Sequence, residues 1–403
     1  MKITALETIH VDGGWAVFSY LKLSTDSGLV GWAEFSGHDT IPAVIQSMAA
    51  RVLGRDPTHL NEIDALLYTL QRPAPGGLVA RAAGAILNAC LDVAAKSLGV
   101  PVHRLLGGAV RERVPVYWSH CGLFRLSYAN LFEQVIGKPA VRTLDDLRRC
   151  GEEVAAAGYR ALKTNLLRFD GPKPTTYSPG IGRGSLRGHP ELNVDDRIIA
   201  ALVDQLSALR AGAGNDVALL VDLNFNYKPE GFRRLARAVE RFNLMWLEMD
   251  MPDPQALAGI RNSTHTPIGS LEMQLGRKNI RPFLDAGAVD VAIVDPQWNG
   301  VLESTKMAHL ADTYDVNVAA HCSAGPLGAL MSAHFCAAIP NFRIMEYEAD
   351  MVPWGTDLLT APNRVENGEF VLSDAPGWGA DIDEEVARAH PGSKGPSGKR
   401  ADA

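Results

Sequence analysis

Val217-Ala-Leu-Leu-Val-Asp222, Leu244-Met-Trp-Leu-Glu248 and Pro267-Ile-Gly-Ser-Leu-Glu272 are three apolar runs of strand length, each closed by an acid. The acids stand 26 and 24 residues apart, which suits one strand, one helix and two loops per step. The same stride continues through Asp295 after Val289-Asp-Val-Ala-Ile-Val294, His321 after Asn317-Val-Ala-Ala320 and Glu346 after Arg343-Ile-Met345. Strand-sized runs alternating with helical patterns predict βαβ units and a parallel sheet. Closed into a barrel, such a sheet gathers the polar residues at its strand ends on one rim, where this architecture does its chemistry. Three carboxylates there form an oxygen-only ligand set, which suits Mg²⁺. The expectation is an α/β protein that grips an anionic small-molecule substrate through a hard cation.

The chain has 403 residues. A (β/α) barrel takes about 250, so a second unit must account for the remainder. Net charge is −7, with Lys and Arg spread along the chain, which predicts neither nucleic acid nor a membrane surface as partner. No basic-plus-apolar N-terminal signal and no apolar run of about 18 residues is read, and the expected location is cytoplasmic. Five cysteines, Cys90, Cys121, Cys150, Cys322 and Cys336, form no CxxC pair and fit reduced core thiols better than disulfides or zinc. Cys322, beside His321, reads either as a small pocket-lining residue or as a nucleophile.

Residues 1 to about 40 alternate in the β manner, as in Phe18-Ser-Tyr-Leu-Lys-Leu23, with turns at Gly13-Gly14 and Asp26-Ser-Gly28. From about 41 to 112 the apolar spacing is helical, notably over Val79 to Lys96. Residues 1–112 are therefore expected to form an α+β capping domain. The barrel, 113–350, opens with Val114-Pro-Val-Tyr-Trp-Ser119, continues with Ala161-Leu-Lys-Thr-Asn165 and reaches an eighth strand at Arg343-Ile-Met-Glu-Tyr347. Between its second and third strands lies a Gly/Pro-rich insertion near 168–192. Because it leaves the C-terminal end of a strand it starts on the rim, where Tyr177, Arg183, Arg187 and His189 are candidates to touch substrate. A subunit-contact loop is the alternative. Residues 351–390 are read as a C-terminal segment returning to the cap, and 391–403 as a flexible tail.

A carboxylic acid's α-proton is very weakly acidic, and its removal creates an ene-diolate with two negative charges, which a divalent cation neutralises. His321 takes or returns a proton near neutral pH, with Asp295 orienting the ring. These residues carry a resemblance. With the Leu105-Leu-Gly-Gly-x-x-Arg111 turn into the barrel and the closing Ala375-Pro-Gly-Trp-Gly379, the chain resembles the enolase superfamily in its mandelate racemase branch, over residues 1 to about 385. The resemblance implies a (β/α)₇β barrel under an α+β cap completed by the C-terminal segment. It implies Asp222, Glu248 and Glu272 as Mg²⁺ ligands, Asp295 and His321 as the acid/base dyad, and Glu346 as a hydrogen-bonding partner of the substrate carboxylate. It also favours a homo-oligomer.

The second strand departs from the racemase pattern. Many relatives end it with Lys-x-Lys, whereas this chain has Lys163-Thr-Asn165, which keeps a cation in Lys163 and loses the second base. A Lys-x-Asn end and His321-Cys-Ser-Ala-Gly-Pro326 are similar to the galactonate-type sugar acid dehydratases. Those carry a histidine two residues after the first metal acid, where this chain has Asn224, and His189 is the candidate replacement. Asn165 and Asn224 are thus expected to face substrate. Trp15 and His38, at early turns of the cap, are placed to exclude water and to bind a hydroxyl, or else are packed turn residues. The leading expectation is a Mg²⁺-dependent dehydratase of a sugar acid or related hydroxy carboxylate. The alternatives are an epimerase or racemase using Lys163 and His321, and a non-catalytic binding protein on the same fold.

Overall fold

In the computed structural model, which describes residues 1–37, 39–72, 75–177 and 194–392, strands Ile3–Asp12, Val17–Thr25 and Val30–Phe35 form an antiparallel meander. Helices Ile41–Val52, Leu60–Gln71 and Gly77–Ser97 complete the cap. The last of these is long and apolar enough to cross a membrane by composition, against the expectation that no such run exists. Every residue from Ala82 to Ala95 is nevertheless buried, because the helix packs between the cap sheet and the barrel. Gly84 permits that approach, since a Cβ there would meet the backbone of Trp298 and Gly300 at 3.0 and 2.9 Å.

Eight parallel strands follow: Arg113–Trp118, Ala161–Asn165, Ala218–Asp222, Trp246–Glu248, Ile268–Ser270, Val291–Val294, Asn317–Ala320 and Phe342–Tyr347. The eighth pairs with the first and closes the barrel. Its interior is filled by Tyr117, Leu220, Trp246, Ile293 and Ile344, so chemistry is confined to the rim. The protein is a (β/α)₇β barrel beneath an α+β cap. After the eighth strand the chain returns to the cap: buried Trp378 donates its backbone N–H to Asp92 and its indole N–H to the Trp32 carbonyl. The Asp12 N–H, at the end of the first cap strand, donates to the His390 carbonyl at 2.9 Å.

His334, on the wholly buried helix Pro326–Ala338, ties this returning segment to the barrel. Its Nδ1 accepts from the His103 backbone N–H and its Nε2 donates to the Trp378 carbonyl, a pattern that only the neutral ring satisfies. Burial pushes its pKa down from 6.5 to about 4. A depressed folded-state value means stability that is full above about pH 6.5 and lost as pH falls through about 4. The loss is about 3 kcal/mol. Melting temperatures measured from pH 7 to pH 4 should therefore fall more steeply for the native protein than for His334→Gln, and parallel curves would remove this ring as the cause.

Candidate active site

Register aligns the site before any side chain is considered. Asn165 lies beside Asp222, and Asp222 beside Glu248, on three neighbouring strands. Glu272, Asp295 and His321 stand just beyond their strands rather than on the final residue. Leu271, at φ 98°, is a left-handed non-glycine residue at the strand end from which Glu272 projects. Such backbone strain is held only where surrounding structure over-determines it.

The three expected ligands are near enough to act on one another's charges, although among the described residues the group whose ligand atoms lie within 4.8 Å of one another is His120, Glu346 and Glu348 rather than this trio. Asp222 is oriented by Asn224, whose backbone N–H reaches Oδ1 at 2.7 Å and whose amide reaches Oδ2 at 2.9 Å. The Asn165 amide adds a 3.4 Å contact to Oδ2, so both asparagines hold the acid. Glu248 Oε2 accepts from the indole of Trp246 at 3.0 Å and from Lys163 at 3.2 Å. Its Oε1 is buried and has no hydrogen-bond partner among the described residues. An orphaned buried carboxylate oxygen is costly, and it is what a ligand to an added cation looks like beforehand. Burial raises the pKa of all three acids. Lys163 draws Asp222 and Glu248 back, His321 draws Glu272 back, and the acids raise one another. Asp250, two residues beyond Glu248, joins them and is raised well above its ordinary value by burial, Glu272, Asp222 and Glu248. Four mutually repelling carboxyl groups, with Lys163 and His321 as their cationic neighbours, are an environment that a hard cation with oxygen ligands neutralises.

On the adjoining strand ends, His321 Nδ1 lies 2.7 Å from Asp295 Oδ2. Asp295 Oδ1 accepts from the backbone N–H groups of Gln297 and Trp298, so the acid is fixed and the ring direction with it. His321 Nε2 faces the acids, 3.4 Å from Glu272 and 3.8 Å from Glu346. Burial alone would lower the ring's pKa, but Glu272, Glu346 and Asp295 outweigh it and hold it well above 6.5. Trp298 packs on the ring at 4.9 Å and carries the Arg81 guanidinium of the cap helix at 3.6 Å on its own face.

Lys163 is 2 % exposed and bridges Glu248 and Glu346, at 3.2 and 2.9 Å. Burial would release its proton, yet these two acids raise its pKa well above 10.5, so it is a fixed cation. Glu346 also accepts from Ser119 Oγ and from the Cys322 N–H. Burial opposes its ionisation, but Lys163, His321 and His120 hold it below the usual carboxylate range. Both Glu346 oxygens are thus engaged within the protein. Burial pushes the Cys322 thiol well up, which suits a pocket-lining residue and not a thiolate nucleophile.

Above the rim, a cavity of about 460 Å³ is lined by Trp15, Phe18, Glu34, Tyr128, Gln297 and Ser323, which joins the cap to the His321 segment. Trp15 is buried, donates to the Asp350 carbonyl and stacks on Phe124 at 4.6 Å. Glu34 accepts from the Gly325 and Gly328 N–H groups, and burial pushes its pKa up to about 7 against those bonds. Tyr177 stacks on Tyr227 at 5.9 Å. His38, Arg183, Arg187 and His189 lie outside the described residues. Sequence reading missed Asp250, Glu34, the Arg81–Trp298 contact and a second histidine–carboxylate pair. In that pair His120 Nδ1 lies 2.5 Å from Glu348 Oε1. For Asp250 and Glu348 a signal existed, since each stands two residues beyond a recognised acid.

A capped (β/α)₇β barrel with a carboxylate trio and a His/Asp dyad on its rim defines a class of enzyme. Residues 5–107 match the mandelate racemase / muconate lactonizing enzyme N-terminal domain, and 146–386 match the enolase C-terminal domain-like family. The chain belongs to the mandelate racemase-like branch of the enolase superfamily. Among curated proteins it is similar to a Haloferax volcanii D-xylonate dehydratase, 32 % identical, covering 96 % of this chain and 89 % of that protein. A Ralstonia nicotianae D-galactonate dehydratase is 28 % identical, covering 100 % of this chain and 98 % of that protein. Among solved structures, a Burkholderia xenovorans strain LB400 protein whose name proposes an L-alanine-DL-glutamate epimerase is 43 % identical, with a TM-score of 0.92. It covers 97 % of this chain and 98 % of its own, and a second structure of it is bound to magnesium and fumarate.

Proposed function

We propose that this protein is a Mg²⁺-dependent dehydratase of a sugar acid or a related hydroxy carboxylate. The observation that carries the reading is the asymmetry of the rim. His321, backed by Asp295, is a proton-transfer group with Nε2 directed at the acids, whereas Lys163 is a cation locked between Glu248 and Glu346. A permanently charged lysine is a poor base, and the Asn165 carboxamide cannot take up a proton. Asp222, Glu248 and Glu272 would hold Mg²⁺, which when bound supplies positive charge against the oxygens of the ene-diolate. His321, whose proton is held chiefly by the Glu272 charge that a bound cation would balance, then takes the α-proton, Lys163 offsets the developing negative charge, and the C3–O bond breaks. The resulting enol tautomerises to a 2-keto-3-deoxy acid. The two dehydratase relatives support this reaction class.

A second reading, epimerisation of an α-substituted carboxylate, is favoured by the name of the 43 % identical neighbour. It requires a second base on the opposite face, and Lys163 would have to leave two ion pairs to serve. Asn165→Lys should supply that base: α-proton exchange with loss of configuration should rise above the native level, read by NMR in D₂O. Unchanged exchange would mean that a missing base is not what limits epimerisation. The reading itself is tested by incubating the protein and Mg²⁺ with aldonic, uronic and aldaric acids and detecting 2-keto-3-deoxy products by semicarbazide absorbance. Turnover of one stereochemical series is expected. A blank library with deuterium exchange into a non-sugar carboxylate would transfer the assignment to epimerisation. Location in the cytoplasm and homo-oligomeric assembly are part of the same proposal.

A further inference from the structure

Loss of hydroxide from C3 needs a proton donor, and the structure holds an imidazole that the mechanism above does not use. His120 follows the first barrel strand, which neighbours the eighth strand in the closed sheet, and it stands at φ 47°, in the left-handed region. Its Nδ1 is 2.5 Å from Glu348 Oε1 and 3.1 Å from Ser119 Oγ. Among the described residues its Nε2 makes no hydrogen bond, and it is not among the buried unsatisfied atoms. His321 is arranged alike, Nδ1 on a carboxylate and Nε2 turned to the site. Such backing fixes the tautomer and leaves the far nitrogen for proton transfer. Both rings flank Glu346: His321 Nε2 is 3.8 Å from one of its oxygens, and a nitrogen of His120 lies within 4.8 Å of Glu346 and Glu348 oxygens together.

The His120, Glu346 and Glu348 group has metal-ligand spacing, but Lys163 already sits 2.9 Å from Glu346 and the Glu348 bond occupies His120 Nδ1, so it is a proton-holding cluster and not a second cation site. The ring is held on its face as well. Phe124 stacks on it at 4.3 Å and 14°, and Trp15 of the cap stacks on Phe124 at 4.6 Å and 19°. This aromatic column connects the cap loop that lines the cavity to His120. Burial alone would lower the ring's pKa. The Glu348 charge and hydrogen bond, with Glu346, outweigh burial and raise it, which favours the charged, proton-donating form of the ring.

Resting on the dehydratase reading, we infer that His120, backed by Glu348, is the general acid that protonates the leaving 3-hydroxyl. His321 removes the α-proton, and the electron pair passes through the ene-diolate into a C2–C3 double bond. The C3–O bond breaks, and the oxygen leaves as water with the His120 Nε2 proton. His321 gives its proton to solvent and His120 is reprotonated from it, and the enol tautomerises by losing its O–H proton and gaining one at C3. No oxidant or further reactant is required.

The test separates proton abstraction from departure of the leaving group. With a hydroxy acid that the native enzyme dehydrates, His120→Asn should lose dehydration by at least about 100-fold. The ene-diolate, unable to expel hydroxide, should return to the acid carrying solvent deuterium, so α-exchange in D₂O should persist. A 3-deoxy-3-fluoro analogue needs no protonation to leave, and its elimination should survive in the variant. Glu348→Gln keeps the hydrogen bond and removes the charge. It should move the alkaline limb of the dehydration pH profile downward, which keeps the proposal testable if His120→Asn does not fold. Dehydration within a few-fold of native in His120→Asn, or equal loss of dehydration, exchange and fluoride elimination, would overturn the role of His120. A native enzyme that exchanges the α-proton but dehydrates no hydroxy acid would instead overturn the dehydratase reading, and the leaving-group role with it.

Discussion

Replacing His321 with asparagine should lower turnover by at least about 10³-fold while leaving the fold and Mg²⁺ binding in place. The size follows from the position of Nε2, the nitrogen directed at the acid cluster, 3.4 Å from Glu272. The retained fold follows from what remains: Asp295 keeps the Gln297 and Trp298 N–H bonds and loses only the imidazole. Losing one of three donors to a buried carboxylate costs about 1–3 kcal/mol, which a thermal melt would register without global unfolding. Steady-state kinetics on the substrate found by screening, together with calorimetric Mg²⁺ titration, check both halves. Undiminished turnover would remove His321 from the mechanism.

Asp222→Asn should act in opposite directions on metal binding and on the metal-free protein. Mg²⁺ affinity should fall on the order of 100-fold, since loss of a direct anionic ligand exceeds what loss of an outer partner typically costs. Without Mg²⁺ the same change removes one of several mutually repelling buried acids, and the apo protein should gain about 1 kcal/mol. Asn224 and Asn165 remain as neighbours able to bond the new amide. Calorimetry and melting curves with and without Mg²⁺ measure the two effects. A loss of apo stability with unchanged affinity would mean that Asp222 is a structural acid.

Much of the rim could be read from the chain because each functional group closes a local pattern, an apolar run of strand length followed by one polar residue. Asp222 and Glu248 end their strands, and parallel register does the rest. Glu272 was legible by its stride, although the left-handed turn at Leu271 that presents it was not, because nothing in that leucine announces a positive φ. Contacts made by closure of the barrel were beyond local pattern. His120 and Glu348 are 228 residues apart in sequence and meet because the first strand pairs with the eighth. Arg81 meets Trp298 because a cap helix with a glycine at position 84 packs against the barrel backbone. Glu34 looked like an ordinary cap residue, and only the docking of the cap strand on Gly325 and Gly328 makes it a buried acid with a pKa of about 7.

The proposed α-proton chemistry depends at once on the carboxylate trio and on His321. Its most direct measurement is the NMR rate of deuterium incorporation at the α-carbon of a turned-over acid, or of its 3-deoxy analogue that cannot eliminate, in D₂O. Exchange is expected with Mg²⁺, none after chelation, recovery when Mg²⁺ is restored, and none in His321→Asn. Exchange that persists without Mg²⁺ or without His321 would contradict it.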